Sequence, residues 1–334
     1  MTIQFGVIGI NHNHIYGQVD ALLSAGAVFA GFHAVEDDLA AAFGAKYPAV
    51  PRLGSPERIL TDPNIALVVT AAINADRALI GIAAMRAGKD VMTDKPGVTS
   101  LEQLAEVRRV QAETGRIYSI YYSEHFAVRC VIKAGELVRA GAIGTVLHTV
   151  GLGPHRLARA TRPDWFFQRD RYGGILTDIA SHQVEQFLFF TDSDDVEIVS
   201  ASLANRANQD RPELQDVGEM LLRAPMATGY IRVDWFTPDG LPTWGDGRMM
   251  LTGTEGTIEL RKYVDTAGEN GADHLILVNR HGVERIDCRF VELPYGRRLV
   301  HDIMHRTETA MPQARCFKAM ELALTAQGMA EAAR

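Results

Sequence analysis

The N-terminal part of the chain alternates short apolar runs with segments of helical periodicity, and no other feature constrains the fold as strongly. Apolar runs that predict buried strands cover residues 5–10, 28–33, 66–72, 90–93 and 117–122, and helical patterns cover residues 15–25, 37–46, 75–87 and 99–114. Strands that alternate with helices form parallel sheets that are covered on both faces. The pattern therefore predicts an α/β fold that begins with a doubly wound parallel sheet.

The pattern changes after Tyr122, where β-type runs separated by turn residues become dominant. Strand-like runs cover residues 145–151, 197–204, 219–223, 229–235, 249–252, 257–260 and 274–278, and helices are predicted over residues 127–140, 178–190 and 314–333. A chain of 334 residues is long for one hydrophobic core. We therefore expect two domains, residues 1–122 and residues 123–334.

The net charge and the cysteine content limit the possible binding partners and the possible cellular compartment. The formal net charge of −7 argues against nucleic acid and anionic membranes as partners. No apolar run is long enough to span a bilayer, and residues 1–5 lack the basic start of a signal peptide. The three cysteines, Cys130, Cys288 and Cys316, form no Cys-x-x-Cys motif, which is typical of a reducing compartment. We therefore expect a cytoplasmic protein that binds neither nucleic acid nor membrane.

A loop between the first predicted strand and the first predicted helix stands where a dinucleotide-binding loop belongs. Of the G-x-G-x-x-G pattern only Gly9 is present, and Asn11 and His14 occupy the other two glycine places. Asn tolerates left-handed backbone, and a helix N-terminus offers amides to a pyrophosphate. The imidazoles of His12 and His14 add donors. The loop therefore predicts cofactor binding; the alternative is a βα turn that binds nothing.

The end of the second predicted strand is the place for a residue that contacts the adenosine ribose. By spacing this place falls on Ala34, and Glu36 follows two residues later. No Arg or Lys stands nearby in the sequence to pair with a 2′-phosphate. The expected cofactor is NAD or NADP, and these residues favour NAD.

Asp178 and His182 stand four residues apart at the start of a predicted helix. Residues at this spacing lie on the same face of an α-helix. A carboxylate beside an imidazole fixes the tautomer of the ring and stabilises its charged form, which suits proton transfer near neutral pH. The alternative is an Asp that caps the helix and a histidine that serves only packing.

The segment Thr93-Asp94-Lys95-Pro96 makes the sequence recognisable. It follows Ala87-Gly88-Lys89-Asp90-Val91, and together the two segments resemble the A-G-K-x-V and E-K-P motifs of the Gfo/Idh/MocA family. This family is named for glucose–fructose oxidoreductase and inositol dehydrogenase. Asp94 replaces the Glu of the second motif.

Three further segments resemble motifs of the same family, in the same order. Residues 68–74 resemble a strand that ends in T-P-N, with Asn74 matching and with Arg77 where a His is common. Residues 173–185 resemble G-G-x-x-x-D-x-G-x-H-x-x-D and keep its Asp and its His. Residues 253–260 resemble a recurrent hairpin of the second domain.

The resemblance implies a Rossmann domain followed by an α/β domain that is built on an open, mostly antiparallel sheet. That sheet commonly forms the subunit interface in the family, which implies a homodimer or a homotetramer. The implied activity is NAD(P)-dependent oxidation or reduction of a sugar, a polyol or a sugar acid.

The resemblance also implies roles for particular residues. Lys95, Asp178 and His182 carry over as the catalytic residues. The cofactor-side positions, from the motifs and from the loop, are Gly9, Asn11, His12, His14, Ala34, Asn74 and Lys95. We expect His182 to accept the hydroxyl proton, Asp178 to orient it, and Lys95 to stabilise developing alkoxide charge.

Five residues of the second part are candidate substrate contacts: His125, His155, Arg156, Trp165 and Arg169. Trp165 either stacks on a sugar ring or packs in the core. Arg156 and Arg169 either hold a carboxylate, which implies an acidic sugar, or make surface salt bridges.

Two other functions fit the sequence. A metal-dependent lyase or isomerase acting on a sugar-like substrate would take its ligands from Glu124, His125, His155, Asp178 and His182. A non-catalytic sensor would keep the fold and bind the nucleotide without turnover. For the dehydrogenase itself we expect no metal ion.

Overall fold

A computed structural model of the chain describes residues 2–266, 268 and 270–333. The chain divides into two compact units. The first contains the residues up to Tyr121 with Asp170–Gly173 and Pro294–Phe317, and the second contains Tyr122–Arg169, Gly174–Leu293 and the residues from Lys318 onward. The sequence predicts two continuous domains, whereas in the structure two later segments belong to the first unit.

A five-stranded sheet forms the centre of the first unit. Its strands are β1 (Gln4–Ile8), β2 (Val28–His33), β3 (Ile65–Thr70), β4 (Asp90–Asp94) and β5 (Tyr118–Tyr121). All neighbouring strands are parallel, in the order β2-β1-β3-β4-β5. The helices between them are α1 (His14–Ser24), α2 (Asp37–Lys46), α3 (Glu57–Leu60), α4 (Arg77–Arg86) and α5 (Leu101–Thr114), with a 3₁₀ turn at Asn74–Asp76. The prediction of a doubly wound parallel sheet is confirmed.

The winding of this sheet reverses between β1 and β3, and ligands of such sheets bind at the carboxyl ends of the strands near the reversal. Gly9 follows β1 with φ +82°, and a Cβ on it would lie 2.5 Å from the Cβ of Ala72. Its amide donates to the carbonyl oxygen of His33 (3.0 Å), and its own carbonyl oxygen accepts from the amide of Ala71 (3.1 Å). Glycine at this position therefore allows the loop to lie directly on the ends of β2 and β3.

An eight-stranded sheet forms the second unit. Its strands are β6 (Val146–Pro154), β7 (Glu197–Ala204), β8 (Val217–Arg223), β9 (Thr228–Asp234), β10 (Arg248–Gly253), β11 (Gly256–Arg261), β12 (His274–Asn279) and β13 (Gly282–Ile286). The order is β13-β12-β11-β10-β6-β9-β8-β7, and only the β6–β9 pair is parallel. The open, mostly antiparallel sheet implied by the family resemblance is confirmed.

The remaining helices complete the chain. They are α6 (Ser123–Phe126), α7 (Arg129–Arg139), α8 (Arg169–Tyr172), α9 (Ser181–Thr191), α10 (Tyr295–His305) and α11 (Gln313–Ala332), with 3₁₀ turns at Arg159–Thr161 and Asp164–Phe167 and a π-helical turn at Leu176–Ala180. Within the described ranges, no helix is both long enough and apolar enough to cross a membrane.

One face of the eight-stranded sheet is buried and the other is not. Helix α9 packs on β6 and β9, and α7 packs on β11 and β12. Along β10, Met249 and Leu251 are buried while Met250 is 49% exposed. This alternation is what a sheet with one covered face requires, and it leaves an outward face.

Helix α10, strand β13 and the short helices α3, α6 and α8 were not predicted from the sequence. The residues of β13 are nearly all exposed, so this strand carries no apolar pattern that the sequence could reveal. In α10 the buried residues Tyr295, Leu299 and Ile303 recur at helical spacing. The basic pair at 297–298 interrupts that pattern.

We expect Gly9→Ala to destabilise the first unit more than Gly26→Ala does. Both glycines have φ +82°, which costs an L-residue about 1–2 kcal/mol. A Cβ at Gly26 meets nothing within 4 Å, whereas at Gly9 it overlaps Ala72, which adds about 1–3 kcal/mol. Urea unfolding of the two variants measures the difference, and equal losses would show that the Gly9 contact is unimportant.

Candidate functional site

The altered loop after β1 is tied to the neighbouring strand. The amide of His12 donates to the carbonyl oxygen of Ala71 (2.9 Å). The amide of His14 donates to Nδ1 of His12 (3.2 Å), and the two imidazole rings lie edge to face with centroids 4.2 Å apart. His14 is the first residue of α1, so both imidazoles lie at the N-terminus of the helix.

Asp94, the last residue of β4, is fully buried among three basic side chains. Its Oδ1 lies 2.9 Å from Nδ1 of His14, and its Oδ2 lies 3.4 Å from Nδ1 of His12 and 3.2 Å from Nη2 of Arg77. Burial opposes ionisation, but the charges of His14 and Arg77 outweigh it and hold the pKa of Asp94 well below its usual range. Burial, reinforced by His14, holds the pKa of His12 well below its ordinary value.

Arg77 connects the segments that follow β3 and β4. It is fully buried, and its guanidinium donates to the carbonyl oxygens of Ala72 (2.8 Å), Pro96 (3.2 Å) and Lys95. His14, Asp94 and Arg77 each depart from the family motifs, and Asp94 contacts both of the others. The sequence could not show this, because His14 and Asp94 are 80 residues apart.

The predicted ribose-contacting end of β2 contains two charged side chains. Nδ2 of Asn11 donates to Oε1 of Glu36 (2.7 Å), which connects the loop to this end. The carbonyl oxygen of Ala34 accepts from Nη2 of Arg52 (2.9 Å), and Nη1 of Arg52 pairs with Asp37 (2.7 Å). The statement that no Arg stands nearby is therefore wrong for the folded chain, because Arg52 reaches Ala34 from a distant position.

The other two cofactor-side predictions also lie at strand ends of the first sheet. Asn74 is buried just beyond β3, and its Nδ2 donates to the carbonyl oxygen of Tyr172 (2.8 Å). Lys95 directly follows β4 and is 3% exposed. Carboxyl ends of parallel strands share one edge of the sheet, so both residues lie at the same edge as Gly9. Their roles in binding remain predictions.

In the second unit, a glycine sets the position of the Asp178 turn. Gly174 has φ +86°, and a Cβ on it would lie 2.3 Å from the side chain of Gln327. Oε1 of that glutamine accepts from the amide of Leu176 (3.0 Å), and the amide of Asp178 donates to the carbonyl oxygen of Gly174 (2.8 Å). The positive φ favours glycine at this position, and Gln327 holds the start of the turn through the amide of Leu176.

Asp178 lies in the π-helical turn, and His182 is the second residue of α9. The prediction of one α-helix from residue 178 is therefore wrong at its start. The capping alternative is wrong as well, because the cap position of α9 is Ala180. Asp178 is 4% exposed and His182 is 1% exposed. Single π-helical turns are rare and occur frequently at functional sites.

The sequence did not reveal a buried ion pair in this unit. Nζ of Lys262 donates to Oε2 of Glu124 (2.8 Å), Nε2 of Gln183 donates to the same oxygen (3.0 Å), and all three residues are buried. Burial opposes ionisation of Glu124, but the Lys262 ammonium lowers the pKa of Glu124 to about 2. The charges of His182 and His155 act in the same direction, so this ion pair belongs to the surroundings of the predicted base.

Both histidines predicted to contact substrate have protein partners. Nδ1 of His125 lies 2.9 Å from Oε1 of Glu185, and both side chains are buried. Nδ1 of His155 lies 3.1 Å from the carbonyl oxygen of Gly153, and its Nε2 lies 3.9 Å from Oε1 of Glu124. His125 is therefore held in a buried pair, and His155 faces the Glu124 carboxylate.

The two arginines predicted to hold a carboxylate are engaged elsewhere in the protein. Arg156 donates to backbone carbonyl oxygens of the 238–241 loop at 3.0 and 2.6 Å. Nη2 of Arg169 donates to Oε2 of Glu331 (3.1 Å). Trp165 is partly exposed. The roles of these residues toward a substrate remain predictions.

Arg162, by contrast, lies under the influence of the predicted catalytic carboxylate. Its guanidinium is 4.3 Å from the ring centroid of Phe166 and 5.2 Å from that of Trp235, and its Nε donates to the carbonyl oxygen of Leu157 (2.9 Å). Burial lowers the pKa of Arg162, while the charge of Asp178 opposes that shift. The sequence offered no signal that would separate this arginine from its neighbours.

Among residues 2–266, 268 and 270–333, one group of three side chains brings metal-binding atoms together. It consists of His12, His14 and Asp94, whose ligand atoms all lie within 4.8 Å of one another. The five ligands of the lyase hypothesis form no such group in this part of the chain. The geometry therefore does not support a metal site at those five residues.

A parallel sheet with a dinucleotide-type loop at its carboxyl edge, joined to an open antiparallel sheet with buried Asp178 and His182, defines the two-unit class of NAD-binding oxidoreductases. Residues 3–122 match the model of the oxidoreductase family with an NAD-binding Rossmann fold, and residues 131–259 match that of the GFO/IDH/MocA C-terminal domain. The chain belongs to the Gfo/Idh/MocA oxidoreductase family.

Individual relatives differ in how far they match. The crystal structure of a protein assigned as an oxidoreductase from Erwinia carotovora atroseptica is 46% identical and has a TM-score of 0.95, covering 98% of this chain and 99% of that chain. The uncharacterised oxidoreductase YdgJ of Escherichia coli is 29% identical over 144 residues, 42% of this chain and 40% of that protein. A 1,5-anhydro-D-fructose reductase of Ensifer adhaerens is 26% identical over 205 residues, 60% of each protein. The chain thus matches less than two thirds of the length of these two curated relatives.

Lys262→Met is expected to lower the free energy of unfolding by about 3–5 kcal/mol, because it leaves the Glu124 carboxylate buried without its cation. The double variant with Glu124→Gln removes both charges and is expected to regain most of that loss. Urea unfolding measures all three proteins. Lys133→Met is the matched control, because it removes an exposed pair with Glu136 and should change stability little. If Lys262→Met and Lys133→Met lower the free energy of unfolding by the same amount, the buried pair contributes no more to stability than the exposed one.

Proposed function

We propose that this protein is an NAD-dependent dehydrogenase or reductase that transfers a hydride between the nicotinamide and a hydroxyl or carbonyl carbon of a sugar, a polyol or a sugar acid. The main support is that Lys95, Asp178 and His182 are each at most 4% exposed. Ionisable side chains are rarely buried this fully unless they are paired or functional. Membership of the oxidoreductase family supplies the reaction class.

The loop after β1 fits a dinucleotide in part. Gly9 presents no side chain at the edge of the sheet, and α1 begins just after it, so the helix N-terminus favours an anion there. The amides of His12 and His14 already donate within the protein. We infer that the imidazoles of these residues take over part of the contact with the pyrophosphate.

NAD is the cofactor that the end of β2 favours. Glu36 is held by Asn11, and a carboxylate there accepts hydrogen bonds from ribose hydroxyls and repels a 2′-phosphate. Arg52 is the opposing influence, but its guanidinium is already shared between Ala34 and Asp37. We therefore assign NAD rather than NADP.

In the proposed mechanism NAD, when bound, would supply the hydride chemistry, and the residues of the protein handle the proton. His182 accepts the proton of the substrate hydroxyl, and Asp178 orients the imidazole of His182. The Lys95 ammonium stabilises negative charge that develops on the substrate oxygen. The negative charge of Glu124 favours the protonated form of His182 after the transfer.

One observation favours a substrate that carries a carboxylate group. Arg162 is stacked on Phe166 and Trp235, and its charge interacts with Asp178. A guanidinium that is held against aromatic rings is well suited to donate two parallel hydrogen bonds to the two oxygens of a carboxylate. We therefore favour a sugar acid over a neutral sugar, with Arg162 in the role that the sequence gave to Arg156 and Arg169.

The outward face of the eight-stranded sheet supports the expected oligomer. Met250 and Val278 on that face are 49% and 38% exposed, and the family resemblance implies that this sheet forms the subunit interface. We propose a homodimer or homotetramer that forms through it, and light scattering of the full chain measures the state. The three cysteines are free thiols and buried, which agrees with the expected cytoplasmic location.

Titration of the full chain with NADH and NADPH, followed by nicotinamide fluorescence, is expected to show tighter binding of NADH. Glu36→Gln keeps the size of the side chain and removes its charge, and it should reduce the preference for NADH roughly tenfold, which corresponds to about 1.4 kcal/mol. Asp38→Asn, at an exposed position of α2, is the control and should leave the ratio unchanged. If wild type and Glu36→Gln show the same ratio of NADH to NADPH affinity, the role given to Glu36 is contradicted. If the chain binds neither nucleotide, the dehydrogenase proposal is removed.

His182→Ala is expected to lower kcat by ~10²–10⁴-fold, the usual contribution of a general base, with NADH affinity unchanged. The assay screens sugars, polyols and sugar acids with the preferred nucleotide. His281→Ala, at an exposed turn, is the matched control and should keep full turnover. Near-normal turnover in His182→Ala would reject this base. Tight NADH binding in a wild-type chain that turns over none of these substrates would favour the sensor.

A further inference from the structure

The cluster of His12, His14 and Asp94, hereafter the loop triad, has the spacing of a metal site. The nearest atoms of His14 and Asp94 are 2.9 Å apart, and those of His12 and Asp94 are 3.4 Å apart. One ligand atom of each residue lies within 4.8 Å of the other two. Donors bound to one Zn²⁺ at about 2.0–2.2 Å lie roughly 3–3.5 Å from one another. Small side-chain movements would therefore bring all three donors onto one ion.

The types of donor atom limit which ions the site can bind. Two imidazole nitrogens and one carboxylate oxygen suit Zn²⁺ and its first-row neighbours. Ca²⁺ and Mg²⁺ prefer sites made of oxygen atoms alone. The loop triad is thus suited to a divalent transition ion.

Arg77 is the competing cation, since its Nη2 lies 3.2 Å from Oδ2 of Asp94. The guanidinium is also held by three backbone carbonyl oxygens, so its position does not depend on the carboxylate alone. An ion bound at Oδ1 would leave the contact between Oδ2 and Arg77 in place. Arg77 then orients the ligating carboxylate from behind, as partners of metal ligands commonly do.

The exposure of the triad determines the kind of site. The side chains of His12 and His14 are 22% and 28% exposed, whereas that of Asp94 is fully buried. An ion therefore enters from the side of the histidines and keeps a position for water or for an oxygen of a small molecule. Three protein ligands and an open position are typical of reactive rather than purely structural zinc sites.

We propose that His12, His14 and Asp94 bind one divalent first-row transition ion, of which Zn²⁺ is the best fit. An ion bound at Nδ1 of His12 would replace the hydrogen bond that this nitrogen now accepts from the amide of His14. No metal ion is expected from the sequence, in which Asp94 lies 80 residues from His14. This site does not rest on the proposed hydride transfer, and it is tested without cofactor or substrate.

The test is a titration of the full, tag-free, metal-stripped chain with Co²⁺. The expected result is one equivalent bound, with the visible absorption of a four- or five-coordinate ion, and its displacement by Zn²⁺. His14→Gln and His12→Gln change partly exposed side chains, and each should weaken binding by at least about 100-fold. Circular dichroism confirms that each variant is folded.

The matched control is the double variant His301→Gln/His305→Gln. These exposed histidines of α10 have ring centroids 4.1 Å apart and are a second place where imidazoles could attract Co²⁺. The control should keep the absorption band. Absence of the band in the wild-type chain, or its loss in the control with retention in His14→Gln, would overturn the proposal. NADH binding is measured separately on the metal-free wild-type chain, because the imidazoles of His12 and His14 are also proposed to contact the pyrophosphate.

Discussion

A buried carboxylate must be neutralised by its neighbours, and this requirement organises the carboxyl edge of the first sheet. Asp94 has no exposed surface, and an uncompensated charge at such a depth costs several kcal/mol. Arg77 and His14 supply the compensation. Because Arg77 also holds the carbonyl oxygens of Ala72 and Lys95, one carboxylate couples the ends of β3 and β4 to the start of α1. The residues expected to meet the cofactor are therefore positioned by one electrostatic cluster.

The second unit uses the same principle beside its predicted base. Glu124 and Lys262 neutralise each other at a buried position, and such a pair is weak evidence for stability because desolvation offsets much of the attraction. The ion pair is better explained by its effect on His182, because the charge of Glu124 interacts with that histidine. A base that must carry a proton for part of a reaction cycle needs a nearby negative charge that does not itself become protonated. A carboxyl group with a pKa of about 2 meets that condition.

The sequence predicted the features that are local and missed those that depend on distant contacts. Both sheets followed from apolar runs and family motifs, because burial of a parallel strand leaves a continuous apolar stretch. Strand β13 was missed because its residues are exposed. Arg52 and Lys262 were missed because only the fold brings them to Ala34 and to Glu124. The π-helical turn was missed because four-residue spacing was taken to mean an α-helix, and a packed glycine sets the turn instead.

The altered glycine loop is best understood from the contacts of the residues that replace its glycines. In the usual pattern the third glycine allows the helix to pack closely on the strand, so a histidine there suggests a damaged loop. In this chain Nδ1 of His14 lies 2.9 Å from Asp94, at a position where the family motif has the longer Glu. Arg77 stands where a His is common in the family, and its guanidinium lies 3.2 Å from the other oxygen of Asp94. The three replacements therefore belong to one set of contacts, and we expect what the edge of the sheet binds to depend on all three together.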